Sequence, residues 1–479
     1  MFDKGELRPA KNKSAIIDCL MLPEISQPSE SPPVDVKIFD GPAVVNMVMP
    51  CTSKIFTEYA LDEFLPYLQR QSGNAKRVDV VWDRYFKDSL KGNTRINRGV
   101  GVRRKVTPGG PGGVIPNNWS TFLCCSPNKV ELFPFLSETI VKEANEPLLV
   151  ATVNESVICN KNISLQGLMP CSIEEADESM LLHAKHVSKH GTRVSIRTAD
   201  SDVLSVAVAA YKRMKGLTEL WVEMGKGKHI KFLPIHEISS TLGPLKSIAV
   251  PFFHSISGCD DTSGVSGKGK KSFFEAWLLV PEVTTVFAKA EHIRDVNELT
   301  KTDFKILEKL FVALYCPSCN TDELNVARRV LFTQGGRSLE NIPPTSAALK
   351  LHILRSALKA IMWHQWYKKD RVMPNITDWG WTKTSNGYVP KWSVSPEASI
   401  ACRELIKCGC KKVVKVAASA RSKNFLVQSC VLVLSSVNDY NYIHRIIMEL
   451  ILLAHILCIS YVFLSKLLFV EIEVVILFI

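Results

Sequence analysis

The chain has 479 residues, room for two or three domains, and its 46% apolar and 22% charged content is that of an ordinary globular protein. That balance excludes a low-complexity disordered chain, and the 14 cysteines are scattered without the spacing of a disulfide framework. A formal net charge of +12 and a pI of about 9.0 favour a polyanionic partner such as nucleic acid, although membrane proteins and merely basic ones share it.

Met1–Lys13 is charged and lacks the apolar core of a signal peptide, which with the scattered cysteines suits the cytoplasm or nucleus. Residues 1–33 read as a disordered tail, with Ser26–Pro33 a Ser/Pro/Glu-rich linker. Val34–Asp40 alternates like a strand and stops on an acid before Gly41. Residues 53–71 read as a helix with Phe56, Tyr59, Ala60, Phe64 and Leu65 on one side. Val78–Asp83 is a second strand that stops on an acid.

Lys87–Lys105 is a basic run containing Arg95, Arg98, Arg103, Arg104 and Lys105, read either as a solvated loop or as a phosphate-gripping segment. Gly109–Gly113 is a flexible joint without the Lys-Ser/Thr of a phosphate loop. Asn118–Ala144 reads as helical, and Leu148–Val153 as a third strand.

Two acidic pairs follow. Glu175 and Asp177 open a helix whose apolar side is Met180, Leu181, Leu182, Ala184 and Val187. Asp200 and Asp202 follow the β-rich run Arg193–Thr198 and precede an apolar helix, Val203–Met214. Acid-rich caps and turns are common. Acids at the carboxyl ends of parallel strands, however, lie where open α/β sheets place their sites, and crowded carboxylates repel unless a hard cation such as Mg²⁺ or Mn²⁺ sits among them. Strands alternate with helices from residue 34 to 224, which predicts a mostly parallel sheet. His229–Ile235 reads as a hairpin arm, with a short helix from His236.

An apolar helix ends at Gly258, with Asp260 just beyond. Gly264, Gly267 and Gly269 then alternate with Lys268, Lys270 and Lys271, a pattern suited to gripping a DNA backbone or to a flexible surface turn. Residues 275–370 read as helical, Cys316 and Cys319 as a chance CxxC, and Trp379, Trp381 and Trp392 as packing residues. Cys402, Cys408 and Cys410 lie in a Cys/Lys-rich segment, 401–423, with no fourth zinc ligand nearby. In the hydrophobic tail 424–479, residues 446–468 are long enough to span a bilayer but carry Glu449, His455 and Lys466. The tail reads as a single membrane anchor or as non-native read-through of intron or frame-shifted sequence.

With Asp40, Asp83, Glu175, Asp177, Asp200, Asp202 and Asp260 in order, residues 34–275 resemble the PIN-like superfamily, specifically its flap-endonuclease branch. The resemblance implies a three-layer α/β/α domain followed by an α-helical region, 276–400. It implies two Mg²⁺ or Mn²⁺ ions held by those seven acids and DNA held by the Gly264–Lys271 turn and the basic run. Asp177 stands where that family has Glu, and the family's opening helix is missing. Glu-Glu-Ala-Asp, Gly-Cys-Asp, Gly-Lys-Gly-Lys-Lys and Glu-Asn-Ile-Pro-Pro-Thr also resemble phrases in invertebrate proteins of mobile-element character. The expectation is a metal-dependent nuclease, with a catalytically inactive nucleic-acid-binding relative or a membrane-anchored protein as the alternatives.

Overall fold

The computed structural model describes residues 7–86, 89–90, 101–106, 113–189, 191–333, 341–385 and 387–393, all within the unit Met1–Ser393. Arg95, Arg98, the Cys/Lys-rich segment and the apolar tail lie outside the described residues. Among the described residues no helix is long and apolar enough to cross a membrane.

The molecule is mixed α/β, built on a seven-stranded and mostly parallel sheet. Its strands are β1 (Val36–Asp40), β2 (Arg77–Val81), β3 (Leu148–Val153), β4 (Ser156–Cys159), β5 (Thr192–Arg197), β6 (Leu217–Met224) and β7 (Lys231–Pro234), in the order β4-β3-β2-β1-β5-β6-β7. β1 and β2 are buried along their whole length, as strands covered on both faces must be. β1 pairs in parallel with β2 on one side and β5 on the other, and β4 and β7 are antiparallel edges. The chain builds outward from β1 through β2 and β3, then returns to β5 on the far side of β1. Strand order therefore reverses between β1 and β5, and open α/β sheets place ligands at the carboxyl ends flanking such a reversal.

Aromatic packing fixes the carboxyl ends of β1 and β2. Trp82 stacks on Phe133 at 4.4 Å and on Phe64 at 5.8 Å. A Cβ at Gly41 would fall 2.3 Å from the Trp82 ring, so the residue after Asp40 has to be glycine. Beyond β5, the helix Ser201–Ala210 is buried throughout and packs on Ile235–Ile256, a helical run broken at Gly243 (φ 74°), against which Ser346–His364 also packs.

The helices expected after β1, β2 and β5 and at the first acidic pair are present. Four features were not foreseen. In place of a tail, Lys13–Ala15 is a 3-10 turn leading into the helix Ile16–Leu20, with Ile16, Ile17, Cys19 and Leu20 buried. The four-residue edge strand β4 follows a turn at Asn154 (φ 53°). Trp381–Thr384 (β8) and Gly387–Pro390 (β9) form a hairpin, and Trp379 and Trp381 are packed inside as expected of them. Cys316 and Cys319 are joined as a disulfide.

Candidate metal centre

Each acid reaches the carboxyl edge of the sheet by a local device. Asp40 closes β1 and caps the helix Gly41–Met47, accepting from the Ala43 amide at 3.0 Å. Its other oxygen accepts from the Thr198 hydroxyl at 2.7 Å, and that hydroxyl accepts from the Asp200 amide at 3.0 Å. A single hydroxyl thus ties the end of β1 to the loop after β5. Asp200 in turn caps Ser201–Ala210 by accepting from the Asp202 amide at 2.9 Å, placing both acids at a helix N-terminus, where the macrodipole favours negative charge. Asp83, two residues past β2, accepts from the Ala176 amide at 2.9 Å and so holds the start of the helix Ala176–His186, which carries Asp177 in its first turn.

The result is a compact set. Ligand oxygens of Asp177, Asp200 and Asp202 lie within 4.8 Å of one another, a grouping that can hold a metal ion. Asp260 joins it through Lys13, whose Nζ lies 2.8 Å from Asp200, 3.1 Å from Asp260 and 3.6 Å from Asp202. The chemistry of the donors suits a hard cation, since all are carboxylate oxygens. Asp202 Oδ2 is buried without a hydrogen bond among the described residues, an orphan that a cation would satisfy.

The electrostatics reflect this crowding. Burial, and then the charge of Asp83, push the Asp40 pKa up to about 7. Burial and Asp202 also raise that of Asp200, against the pull of Lys13. Burial works against charge on Lys13, but Asp202, Asp200 and Asp260 outweigh it and the ammonium is held charged well above its usual range. His254 is fully buried with Nε2 2.9 Å from Asp202 Oδ1. Burial first, then the charges of Lys270 and Lys13, hold its pKa well below the usual value, so the neutral ring donates its Nε2 proton to Asp202.

Glu175 is not part of that three-acid grouping. It stands at the N-cap of Ala176–His186, and its Oε1 faces the buried Lys359 at 3.0 Å, which also meets Asp261 Oδ2 at 2.6 Å. The neutralising cations Lys13 and Lys359, the bridging Thr198 and the proton donor His254 were not read from the sequence. Lys359 did carry a signal: with His352 and Arg355 it puts polar groups at three- and four-residue spacing on the apolar stripe of Ser346–His364, where all three are buried.

The expected nucleic-acid contacts divide. Lys270 is buried and donates to the carbonyls of His254 and Gly258 (2.7 Å to the latter) and to Ser257 Oγ at 2.9 Å, so it is a structural cap and not a phosphate contact. Arg103 is tied to Asn128 and Glu131. Arg104 and Lys105 are exposed, Lys268 lies over the Tyr315 ring at 5.3 Å, and the largely exposed Lys271 pairs with Asp18 at 3.2 Å.

Comparison with protein-family profiles returns no match, and comparison with curated proteins returns no significant match. The fold and the site geometry therefore carry the functional reading by themselves.

Proposed function

We propose that the chain is a divalent-cation-dependent nuclease of the PIN-like, flap-endonuclease kind, acting on DNA. The observation that carries this reading is the meeting of Asp177, Asp200 and Asp202 at the carboxyl edge of a parallel sheet, with the buried Asp202 Oδ2 making no hydrogen bond among the described residues. Mg²⁺ or Mn²⁺ held by these three acids would supply a more acidic water and neutralise charge developing on a phosphodiester.

The chain's own groups do the positioning. Thr198 and the two helix caps set the carboxylates before any ion arrives. His254 orients Asp202 and leaves its second oxygen available. A cleft lined by Asn46, Asp83, Tyr85, Ser120, Lys129 and Asp260 would give a strand a route to the acids. Lys129 lies 4.9 Å over the Tyr85 ring, so the cleft offers both charge and an aromatic group. Arg104, Lys105, Lys268 and Lys271 are the phosphate contacts of this reading.

The test is Mn²⁺-dependent cleavage of a flapped DNA duplex by the full chain, set beside Asp200→Asn. Cleavage by the parent and none by the variant is expected. Equal cleavage by both, or none by either, defeats the proposal.

A further inference from the structure

An ammonium group already stands inside the acidic cluster. Lys13 Nζ touches both oxygens of Asp200, at 2.8 and 2.9 Å, as well as Asp260 at 3.1 Å and Asp202 at 3.6 Å. Its position is built into the fold from both sides. On the amino side, the Gly264 amide donates to the Arg8 carbonyl at 2.7 Å and the Arg8 amide donates to Ser263 Oγ at 3.2 Å. The fit there is tight: a Cβ at Gly264 would lie 2.9 Å from the Pro9 carbonyl oxygen, and one at Gly258 would lie 3.2 Å from the Ala10 Cβ. On the carboxyl side, Ile16, Ile17 and Leu20 are buried where Ile16–Leu20 packs against Ser201–Ala210 and Lys270–Leu279. The glycines of this turn thus admit a segment of the same chain.

We propose that Lys13 is a tethered cation that takes the place of a second divalent ion, so that the centre binds one divalent ion beside Lys13 and not two. This rests on the metal-centre reading above and deepens it. The two positive groups differ in kind. A divalent ion needs several carboxylate oxygens within reach of one point, and the grouping of Asp177, Asp200 and Asp202, with Asp202 Oδ2 making no hydrogen bond among the described residues, provides them. An ammonium needs acceptors already placed around it, and Asp200 and Asp260 provide those. Lys13 is in this sense a positioning residue: it fixes the Asp200 carboxylate and offsets its repulsion with Asp260 without having to be captured from solution.

The experiment is a Mn²⁺ titration of the full chain at fixed pH, followed by calorimetry and by electron paramagnetic resonance, with Lys13→Met and Lys13→Arg alongside. The parent and Lys13→Arg are expected to bind one ion. Lys13→Met is expected to bind two, the second recognised by spin coupling between neighbouring Mn²⁺ ions. A parent that binds two ions overturns the proposal while leaving the metal centre standing, and that result needs no variant to fold. So does a Lys13→Met chain that binds one ion with affinity within about twofold of the parent. If no protein binds Mn²⁺, the metal-centre reading falls and this proposal falls with it.

Discussion

Lys359 offers a direct measure of how far buried charge balance holds the site together. The side chain is 2% exposed, lies 3.0 Å from Glu175 and 2.6 Å from Asp261, and packs 5.0 Å from the centre of the Trp363 ring. At an effective dielectric of about 20, each ionic contact at such distances is worth roughly 5–6 kcal/mol, and the desolvation of three charges offsets most of it. Replacing Lys359 by Met keeps the volume and apolar stem but leaves two buried carboxylates without their cation. The expected loss is about 3–5 kcal/mol of unfolding free energy at pH 8. The sign of the pH dependence follows. Buried negative charge that has lost its cation is relieved as the medium becomes more acidic, so the loss shrinks as pH falls toward 5. Urea unfolding followed by circular dichroism at pH 8 and pH 5 measures both quantities. A loss below about 1 kcal/mol, or one that grows on acidification, would refute the charge-balance account.

Two further outcomes follow from other parts of the structure. His352 is buried, donates from Nε2 to the Ile256 carbonyl at 2.8 Å, and is held by burial at a pKa of about 4. Its folded pKa lies below its unfolded value, so stability falls as pH drops from about 6.5 to about 4, by about 3 kcal/mol. His352→Gln should flatten that part of a stability–pH curve, and an unchanged curve would count against it. Gly258 has φ +103° and a Cβ there would lie 2.9 Å from the Gly264 Cα, so Gly258→Ala should cost about 1–3 kcal/mol and free the Arg8–Leu20 segment for trypsin. Unchanged stability and unchanged cleavage would show that the tight fit has no energetic weight.

What the sequence made legible was whatever repeats locally. β1, β2, β3, β5 and β6 announce themselves by short apolar runs that end at acids or turns, and their alternation with helices implies the parallel sheet. The helix caps behind Asp177, Asp200 and Asp202 were legible for the same reason. Contacts between distant positions were not. Neither Glu175 nor Asp177 reveals from its neighbours which will face the cluster; the first stands at the N-cap opposite Lys359 and the second lies in the first turn beside Asp200. Lys270, in a Gly-Lys-Gly-Lys-Lys phrase that reads as surface, is drawn inward by three acceptors. Residues 11–20 mix exposed Lys11 and Asn12 with four buried apolar positions in a five-residue helix, too short to show a period.

The long reach of that segment has a bearing on how the molecule is made. Arg8 and Ser263 are 255 positions apart, and Lys13 and Asp200 are 187 apart. During translation, residues 8–20 leave the ribosome long before their seats exist, and they can dock only once the chain has been made past residue 279. Until then the nascent protein carries an unneutralised nest of carboxylates and bare apolar slots. A fragment cut to begin at residue 34 would stay in that state permanently, so a faithful recombinant version has to begin upstream of Arg8.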